Sequence, residues 1–506
     1  MTPSNPLFDT LFQTKAGDAR PFLHLPGGAA LSYAAFYDRT GQIAHALRAA
    51  GVEAGDRVAA QVHKSPTALA LYAACVRAGA VFLPLNTAYT AAEVAYFVGD
   101  AEPRLVVCDA AASQALAPIA AGAGAALMTL NADETGTLSE AADGHASEFE
   151  TVARSPGDLA AILYTSGTTG RSKGAMLSHD NLLSNALTLV DFWRFTGDDV
   201  LLHVLPIFHT HGLFVATNTI AACGASMIFL PGFKLEAVLA ALPRATSMMG
   251  VPTFYTRLLA SPDFTRPLVS HMRLFVSGSA PLLSETHLAF EARTGHRILE
   301  RYGMTETNMN TSNPYDGERR AGTVGFPLPG VSLKVTDPNT GTEVPDGEIG
   351  VIEVKGPNVF KGYWRMPEKT EAEFREDGFF ITGDLGRVDE RGYVHIVGRG
   401  KDLIISGGYN VYPKEVEQAI DAVPGVIESA VIGVPHPDFG EAVIGVVVPR
   451  SGEALDEAAI LKALSTQLAR FKQPKQIFFT PELPRNAMGK VQKNVLREEH
   501  AELFTA

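Results

Sequence analysis

Residues 159–174 read LAAILYTSGTTGRSKG, and this stretch decides both the fold class and the first functional hypothesis. Its first part, Leu159–Tyr164, is a short apolar run of the kind that forms a buried strand. The rest contains five hydroxyl groups, three glycines and two cations, Arg171 and Lys173. Glycines let backbone N–H groups approach an oxyanion, hydroxyl groups add hydrogen-bond donors, and cations balance phosphate charge. The stretch therefore predicts a strand that ends in a phosphate-binding loop.

The composition of this loop leaves a second interpretation open. Its spacing is not the GxxxxGK[ST] of the Walker A motif. Stretches rich in Ser, Thr and Gly also form flexible linkers. The residues of the loop alone therefore do not decide between a linker and a phosphate site.

Similar apolar runs occur at Val58–Val62, Ala80–Leu83 and Leu105–Cys108, and they alternate with helix-like segments. This alternation predicts an α/β body of stacked βα units. After about Pro314 the pattern becomes strand-rich, with short apolar runs between Gly, Asp and Pro turns. We expect these runs to form a β-rich subdomain, with strands at Gly350–Val354, Gly378–Thr382 and Tyr393–Val397.

The sequence GRGKD at residues 398–402 is polar and glycine-flanked, and it lies between a predicted strand and a new apolar run. Such a segment predicts a domain boundary. The remainder is expected to form a small α+β domain. Its predicted elements are helices at Pro413–Ile420 and Leu455–Leu468 and strands at Ala430–Val434 and Ala442–Val448.

The bulk properties of the chain narrow the class of protein. Its 506 residues exceed one ordinary core, and 46% hydrophobic with 19% charged residues is the balance of a folded protein. The formal charge of -13 argues against a nucleic-acid partner and against an anionic membrane surface. Three widely spaced cysteines form neither a CxxC nor a Cys/His cluster, so we expect buried structural thiols.

No targeting or membrane segment is recognisable. The N-terminus lacks the basic region and the continuous apolar region of a signal peptide, which favours a cytoplasmic location. The most apolar stretch, Ala68–Leu85, is interrupted by Arg77 and Gly79. It is therefore expected to be a buried helix that turns into a strand, and no membrane partner is predicted.

Five separated motifs resemble those of the adenylate-forming superfamily, which includes acyl-CoA synthetases, adenylation domains of peptide synthetases and luciferases. They are TSGTTGRSKG from residue 165, YGMTE from 302, TGD from 382, GRGKDLIISGGYNVYPKEVE from 398 and PRNAMGK from 484. Their order and spacing match across nearly the whole chain. The resemblance favours the phosphate loop over the linker, and it implies ATP, Mg²⁺ and coenzyme A as cofactors and small molecules as the main partners.

The resemblance also implies roles for individual residues. Tyr302 stacks near the adenine, Thr305 contacts phosphate and Glu306 helps to hold Mg²⁺, which prefers hard oxygen ligands. Asp384 accepts hydrogen bonds from the ribose hydroxyl groups, and Arg399 lies toward the ribose. The triphosphate loop is implied at Thr165, Ser166, Gly167, Thr168, Thr169 and Gly170, and Thr165 is also implied as a second metal ligand. Lys173 is implied as a catalytic cation. The remaining nucleotide-binding positions are Gly278, Ser279 and Ala280 beside the adenine, and Gly303.

The expected chemistry is the attack of a carboxylate on the α-phosphate of ATP, with pyrophosphate leaving. Two like charges about 4 Å apart repel by roughly 4 kcal/mol at an effective dielectric constant of about 20, so the reaction needs preorganised cations. Lys490 in PRNAMGK resembles the family lysine that bridges carboxylate and phosphate. Gly489 before it permits a tight turn.

A catalytic lysine on the small domain implies that this domain moves before a thiol enters. By the resemblance, residues 1–398 form the large adenylation domain, residues 399–401 the hinge with Lys401, and residues 402–506 the mobile domain. Gly407 and Gly408 are expected to border the thiol tunnel. Acetylation of the corresponding lysine regulates some relatives by removing its charge, so we expect a lysine acetyltransferase and a deacetylase as partners that act on Lys490.

The acid is predicted from the segments around residues 209 and 257. His209 stands where peptide-synthetase adenylation domains carry an aspartate for the substrate amine, so no amine is expected. Arg257 lies one helical turn after Thr253, which is predicted as the helix N-cap. A buried cation there requires an anionic partner, either a protein carboxylate or the substrate.

The segments VPTFYTRLL, IFHTHGLF, RLFVSGSAPL and YGMTETNMNTSNPYDG closely resemble those of malonyl-CoA synthetases. This resemblance implies a dicarboxylate whose distal carboxylate pairs with Arg257, since a guanidinium gives paired hydrogen bonds. The other implied acid-binding residues are His209, Thr210, His211, Ser277 and Met304. Malonate and methylmalonate differ by one methyl group, worth only about 1–3 kcal/mol in a pocket, so both are expected to be used.

Three alternatives stay open from the sequence. One is a CoA ligase for another short-chain carboxylic acid. A second is a nucleotide-binding protein that keeps the fold without catalysis, against which Lys173, Glu306, Asp384 and Lys490 all count. A third is a luciferase-like oxidation.

Overall fold

The computed structural model describes residues 5–165, 172–406, 409–450, 455–465, 467–486 and 489–504. The chain forms two compact units. The first unit contains the residues up to Ser332 and Val354–Phe380, and the second contains Leu333–Glu353 and the residues from Ile381 onward. The predicted domains 1–398 and 402–506, with their hinge at 399–401, follow a functional division and stay a prediction.

Most strands of the structure are short. In chain order they are β1 Pro21–His24, β2 Ala30–Ser32, β3 Arg57–Gln61, β4 Val81–Pro84, β5 Leu105–Cys108, β6 Ala126–Thr129, β7 Leu159–Thr165, β8 Lys173–Ser178, β9 Val200–His203, β10 Ser226–Phe229, β11 Ser247–Gly250, β12 Leu274–Ser277, β13 Leu299–Met304, β14 Asn308–Ser312, β15 Phe326–Pro327, β16 Ser332–Thr336, β17 Gly350–Lys355, β18 Phe380–Val388, β19 Val394–Arg399, β20 Ile404–Ser406, β21 Tyr409–Val411, β22 Val426–His436, β23 Gly440–Pro449 and β24 Gln476–Phe479.

Helices connect many of these strands. The α-helices are α1 Pro6–Leu11, α2 Tyr33–Ala49, α3 Pro66–Arg77, α4 Ala91–Ala101, α5 Ala110–Gly122, α6 Thr137–Asp143, α7 His179–Phe192, α8 Thr219–Cys223, α9 Leu235–Ala241, α10 Pro252–Ala260, α11 Arg266–Val269, α12 Ser284–Thr294, α13 Pro367–Ala372, α14 Pro413–Asp421, α15 Glu457–Ser465 and α16 Lys493–Glu499. Short 3₁₀ turns lie at Gln13–Lys15, Pro26–Gly28, Leu242–Arg244, Gly400–Asp402 and Arg470–Lys472, and a π-helix spans His211–Asn218.

Two mixed sheets form the body of the first unit. One has the strand order β15-β14-β13-β12-β11-β9-β10-β1-β2, and the other β6-β5-β3-β4-β7-β8. The inner strands run parallel, whereas β14 and β8 are antiparallel to their neighbours. Every residue of β5, β11 and β12 is buried, as expected for parallel strands covered on both faces. The predicted α/β class is confirmed.

Local signals explain where the helices begin. The Ser65 side chain accepts a hydrogen bond from the Ala68 N–H at the start of α3, whose first residue is Pro66. Ser178 and Asn181 form a capping box at the start of α7. The prediction for Ala68–Leu85 is confirmed, because α3 leads into β4. Within the described ranges, no helix is both long enough and apolar enough to cross a membrane.

The second unit contains the sheets β16-β17-β18-β19 and β21-β20-β23-β22, with β24 paired to β23. The predicted strands near residues 430 and 442 are longer than expected, because β22 and β23 pair as one long antiparallel ribbon. The apolar faces of α14 and α15 pack on this ribbon through Val416, Ile420 and Ile460. Helix α15 ends at Ser465, three residues earlier than predicted.

The cysteines are free thiols. Cys75 and Cys108 are buried and Cys223 is partly buried. Burial raises the pKa of Cys75 above its ordinary value, so it stays a protonated structural thiol at neutral pH. The expectation of buried structural thiols is confirmed for Cys75 and Cys108 but not for Cys223.

Candidate active site

Three parallel strands of the first unit end side by side. Gly250 of β11 pairs with Ser277 of β12, and Ser277 pairs with Glu300 of β13. The chain leaves these strands into α10, the segment Gly278–Ala280 and the turn after Met304. Open α/β sheets bind ligands outside the carboxyl ends of their parallel strands. This edge therefore collects most of the residues that the sequence assigns to the nucleotide and the acid.

The predicted phosphate loop begins and ends on an antiparallel hairpin. Strand β7 runs to Thr165, and Thr165 pairs with Lys173 at the start of β8. The Thr165 hydroxyl group lies 3.5 Å from the Lys173 carbonyl oxygen. The strand context of the prediction is thus confirmed. The loop residues Ser166, Gly167, Thr168, Thr169, Gly170 and Arg171 lie outside the described residues.

Two of the predicted catalytic residues, Lys173 and Glu306, belong to one polar network. Lys173 Nζ lies 3.2 Å from Glu373 Oε1 and 4.0 Å from the centre of the Tyr363 ring. The Tyr363 hydroxyl group lies 2.7 Å from Glu373 Oε2 and 3.1 Å from Glu306 Oε1. The phenol has one proton, which these two carboxylates share. Burial and the negative charge of Glu306 raise the pKa of Tyr363 above its ordinary value.

Glu373 and Tyr363 were missed by the sequence analysis. Burial acts to raise the pKa of Glu373, but hydrogen bonds from Lys369 and Tyr363 and the charge of Lys173 hold it below its ordinary value. Glu373 is therefore an anion neutralised by two lysines, with Lys369 Nζ at 2.7 Å. No sequence motif pointed to these positions, because residues 363 and 373 reach the network only through the return of the chain to the first unit.

The donor set around Glu306 fits Mg²⁺. Glu306 is buried, and its carboxylate is oriented by the Tyr363 hydroxyl group. Mg²⁺ is commonly held by one or two carboxylates together with substrate phosphates and water. Among the described residues, no group of three or more His, Cys, Asp or Glu side chains forms an all-protein metal cage. A single buried carboxylate beside a nucleotide is the kind of site this ion uses.

The residues predicted for the adenine and phosphates lie on and after β13. Tyr302 is buried, and Met304 and Thr305 are half-buried. Gly303 is required by packing, because a Cβ atom there would lie 1.9 Å from the Asn308 carbonyl oxygen. The turn is closed by the Thr307 N–H, which donates to the Met304 carbonyl at 3.2 Å.

Three of the residues predicted for the acid, Thr210, His211 and Ser277, are buried polar residues at the same edge. His211 Nδ1 lies 3.1 Å from Ser279 Oγ, and Ser279 has a φ of 71°, which a non-glycine residue rarely adopts. Burial lowers the pKa of His211 well below its ordinary value, so the imidazole is neutral. No described residue bonds His211 Nε2, Thr210 Oγ1 or Ser277 Oγ.

His211 begins the π-helix that ends at Asn218, and every residue of this helix is buried. The Leu213 N–H donates to the half-buried His209 at its carbonyl oxygen, 3.0 Å away. Such helices are rare and occur frequently at functional sites. The widened turn places Thr210 and His211 together at the start of the helix.

The structure corrects two expectations about Arg257. Helix α10 starts at Pro252 with Val251 as its N-cap, so Thr253 lies inside the helix and caps nothing. Proline at the first helical position fixes the start two residues earlier than predicted. Arg257 is exposed rather than buried, and its guanidinium lies 5.9 Å from the centre of the Phe233 ring.

A buried cation does lie at this edge, but at a position that the sequence analysis passed over. Arg301 on β13 is 4% exposed. Its neighbour Glu300 pairs with His287 at 3.1 Å, whereas none of the described residues bonds Nε or Nη2 of Arg301. The sequence did contain a signal, because ERYG places two adjacent charged residues in a strand whose first four residues are all buried.

In the second unit, the two residues predicted for the ribose pair with each other. Asp384 of β18 lies opposite Arg399 of β19, and Arg399 Nε donates to Asp384 Oδ1 at 2.7 Å. The Asp384 carboxylate is almost completely buried. The Asp384 backbone N–H donates to the Thr382 hydroxyl group at 3.1 Å. Arg399 therefore orients this carboxylate. The predicted hinge residue Lys401 follows in the 3₁₀ turn Gly400–Asp402.

Lys490 closes a tight turn in the second unit. The Asn486 N–H donates to the Lys490 carbonyl and the Lys490 N–H donates to Asn486 Oδ1, both at 3.0 Å. Gly489 has a φ of 75°, which confirms the expected glycine turn. Desolvation, reinforced by the charge of Arg399, lowers the pKa of Lys490 to about 8, although the residue keeps a solvent-exposed surface. Gly407 and Gly408 lie outside the described residues.

Comparisons with known proteins agree with this geometry. Residues 12–364 match the family model of the AMP-binding enzyme, and residues 415–490 match that of the AMP-binding enzyme C-terminal domain. A feruloyl-CoA synthase from an Amycolatopsis species is 38% identical over 475 residues, which cover 93% of this chain and 94% of the relative. A malonate–CoA ligase from Arabidopsis thaliana is 36% identical over 456 residues, which cover 83% of this chain and 74% of the relative.

Among solved structures, the crystal structure of ATP-bound MatB from Rhodopseudomonas palustris superposes with a TM-score of 0.97. It is 62% identical in sequence, and the match covers 99% of both chains. On these matches, and with five motifs spread over both units, the chain belongs to the AMP-binding enzyme family.

Proposed function

We propose that the protein is an AMP-forming acid–CoA ligase that converts malonate, ATP and coenzyme A to malonyl-CoA, AMP and diphosphate, with methylmalonate as a second substrate. Membership of the AMP-binding enzymes and the similarity to a malonate–CoA ligase support the reaction type. ATP, Mg²⁺ and coenzyme A are the cofactors this reaction requires.

The observation that carries the choice of acid is the polar character of the predicted acid site. Thr210, His211 and Ser277 are buried, and each has a side-chain atom that no described residue bonds. An alkyl chain or an aromatic ring would leave these groups unpaired, which costs about 1–3 kcal/mol for each group. A short acid with a second polar group would satisfy them instead.

In the first half-reaction, the acid carboxylate attacks the α-phosphate and pyrophosphate leaves. We assign the neutralisation of these anions to Lys490, with Lys173 and the loop from Thr165 acting on the leaving pyrophosphate. Glu306 would hold Mg²⁺, which when bound spreads the negative charge of the phosphates. Asp384, oriented by Arg399, would accept hydrogen bonds from the ribose.

In the second half-reaction, the thiol of coenzyme A attacks the acyl-adenylate and AMP leaves. Gly407 and Gly408 are proposed to border the thiol tunnel. Residues 399–401 are proposed as the hinge, because domain movements rely on a few residues that absorb large changes in φ and ψ. Acetylation of Lys490 would block the first half-reaction only, because it removes the lysine charge.

Arg257 is proposed to contact the distal carboxylate, assisted by Thr210, His211 and Ser277. His209 and Met304 are proposed to border the acid. The exposed position of Arg257 suits a cation that meets the dianion as it arrives from solvent.

A substrate panel tests the proposal. Pyrophosphate release and thioester formation would be measured with malonate, methylmalonate, succinate, acetate, octanoate and ferulate, each with ATP, Mg²⁺ and coenzyme A. We expect malonate to give the highest kcat/KM and Arg257→Ala to lower it. Higher turnover of acetate, octanoate or ferulate would reject the dicarboxylate and leave a CoA ligase for another acid. The absence of both AMP and acyl-adenylate with every acid would indicate nucleotide binding without catalysis.

A further inference from the structure

We propose that Lys64 and His203 are positioning residues that set the affinity for the acid, because together they hold the peptide that follows the start of the π-helix. This inference rests on the proposed function for the place of the acid. It concerns two residues that none of the five motifs contains. Their side chains contact each other, and none of the reaction steps described above uses them.

The pair joins the carboxyl ends of two strands that belong to different sheets. His203 is the last residue of β9, and Lys64 follows β3 of the other first-unit sheet by three residues. His203 lies level with Met249 of β11, one residue before Gly250. Because Gly250 pairs with Ser277, the pair lies at the edge that carries the residues predicted for the acid.

The amine of Lys64 has only neutral partners among the described residues. Its Nζ lies 2.8 Å from His203 Nδ1 and 2.9 Å from the His203 carbonyl oxygen. The third contact is the Phe229 ring, whose centre lies 4.3 Å from Nζ. Burial lowers the pKa of Lys64 well below its ordinary value, but the ammonium and the neutral amine both have the two N–H groups that these bonds need. A lysine that donates to one histidine, and to no carboxylate, orients that histidine.

The contacts of His203 define which ring nitrogen carries the proton. Burial, reinforced by the charge of Lys64, lowers the pKa of His203 well below its ordinary value, so the imidazole is neutral. Nδ1 faces the Lys64 donor and must accept, whereas Nε2 lies 2.9 Å from the Gly212 carbonyl oxygen and must donate. Both contacts require the same tautomer, with the proton on Nε2. Lys64 therefore fixes the donor that His203 presents to Gly212.

The peptide bond between Gly212 and Leu213 connects His203 to the acid site. Its carbonyl oxygen accepts from His203 Nε2 and, at 3.0 Å, from the Thr217 hydroxyl group. Its N–H donates to the His209 carbonyl oxygen at 3.0 Å. Both ends of this peptide are thus bonded, and the two residues between positions 209 and 212 lie between the bonds.

Those two residues, Thr210 and His211, are thereby held in place. The backbone beside them is closely packed, since a Cβ atom on Gly212 would lie 2.0 Å from the Pro206 carbonyl oxygen. The Thr210 hydroxyl group and His211 Nε2 have no partner among the described residues, so both are available to the acid. Hydrogen bonds weaken steeply when they are misaligned. Loss of the His203 contact should therefore lower the affinity for the acid and leave the affinity for ATP unchanged.

Two substitutions of His203 separate the two contacts of the imidazole. In His203→Asn the amide lies near the place of Nδ1 and still meets Lys64, but it does not reach the Gly212 carbonyl. In His203→Gln the amide nitrogen lies near the place of Nε2 and keeps that bond. Initial rates of pyrophosphate release would be measured at varied malonate and at varied ATP. We expect His203→Asn to raise the KM for malonate about 10-fold with the KM for ATP unchanged, whereas His203→Gln stays within about 3-fold.

Lys64 is tested by substitution and by the state of the histidine ring. Lys64→Met should raise the KM for malonate by a similar factor, and Lys64→Arg, which keeps N–H donors, should recover part of the affinity. Selective ¹⁵N labelling of histidine reports the tautomer, and the signal of His203 is assigned by its absence in His203→Gln. We expect the proton on Nε2 at neutral pH. A proton on Nδ1 of the unmodified protein would overturn the proposal.

His296→Asn is the matched control for a merely structural effect. His296 Nε2 lies 2.9 Å from the Val269 carbonyl oxygen, and its ring centre lies 5.3 Å from that of Phe275. The corresponding contacts of His203 have the same two distances. His296 precedes β13 and so lies at the amino edge of the sheet, away from the predicted acid site. This variant should lose similar stability in thermal unfolding and keep both KM values.

Three results would contradict the positioning role. One is an equal rise of the KM for malonate in His296→Asn, and another is a proportional rise of both KM values in His203→Asn. The third is the same KM for malonate in His203→Asn and His203→Gln. Should the His203 variants fail to fold, Lys64→Met and Lys64→Arg decide, since equal KM values for malonate in these two would also reject the role.

The outcome separates this inference from the proposed function. If the unmodified protein uses another acid better than malonate, the proposed acid is wrong, and the same comparison of variants with that acid decides the positioning role. If the unmodified protein uses malonate and His203→Asn leaves its KM unchanged, the proposed function stands and the positioning role is rejected. Failure to adenylate any acid would reject both.

Discussion

The hydroxyl group of Tyr363 links the predicted metal ligand Glu306 to the anion that neutralises Lys173, and its removal is the sharpest perturbation of this network. Tyr363→Phe deletes one oxygen that lies 2.7 Å from Glu373 and 3.1 Å from Glu306. Glu373 keeps its two lysines, so its charge remains balanced. Glu306 loses the hydrogen bond from this hydroxyl group.

The magnitude follows from the charge state of the acceptors. A hydrogen bond to a charged group contributes about 1.5–3 kcal/mol, so we expect the free energy of unfolding to fall by about 2 kcal/mol. Partners that orient a metal ligand typically change metal affinity by about 10–100-fold. We therefore expect the Mg²⁺ concentration for half-maximal pyrophosphate release to rise by that factor, with a smaller change in the KM for the acid.

Tyr33→Phe is the control, because it removes a buried phenol of the first unit that donates to the Ala225 carbonyl at 2.6 Å. Both variants should lose similar stability in thermal unfolding. Only Tyr363→Phe should shift the Mg²⁺ dependence. An unchanged Mg²⁺ dependence in Tyr363→Phe, or an equal shift in Tyr33→Phe, would refute the assignment of Glu306 to the metal.

The remaining predictions concern the second unit. Lys490→Ala should abolish acyl-adenylate formation but spare thioester formation from supplied acyl-adenylate, and equal loss of both half-reactions would contradict the division of labour. Because the lowered pKa of Lys490 is about 8 and the ammonium form is needed, adenylation should decline as the pH rises through about 8. A rate profile of Lys490→Arg should show this decline moved to higher pH, since guanidinium does not titrate there. Asp384→Asn should raise the KM for ATP and lower the free energy of unfolding by about 2 kcal/mol, which calorimetry would detect.

The sequence predicted the elements that depend on local signals. Strands β5 and β7 and helices α3 and α14 lie within a few residues of their expected positions, because each combines an apolar run with a turn or cap residue. The start of α10 was placed wrongly because Thr253 and Pro252 both favour a helix start, and proline decided it. The lengths of β22 and β23 depend on their pairing with each other, which no local window contains.

The site residues also fall into those that local motifs predict and those that only the fold brings together. Positions within contiguous motifs, such as Lys173, Glu306, Asp384 and Lys490, were named from the sequence, and the structure shows their surroundings. Tyr363 and Glu373 carry no motif, since their role depends on a chain segment that returns from far along the sequence. Arg301 was overlooked because an arginine between Glu300 and Tyr302 is read as one of an ordinary charge pair, and only the fold separates the two side chains.

The return of residues 354–380 to the first unit has a consequence for biosynthesis. A nascent chain that has emerged as far as Ser332 already contains β1 to β15, and so every strand of both first-unit sheets. It still lacks Tyr363 and Glu373. The hydrophobic cores can therefore form on the ribosome before the Lys173 ion pair exists, and translation of about forty more residues completes it. A protease that cuts once between Ser332 and Val354 would leave this pair intact, held only by noncovalent contacts.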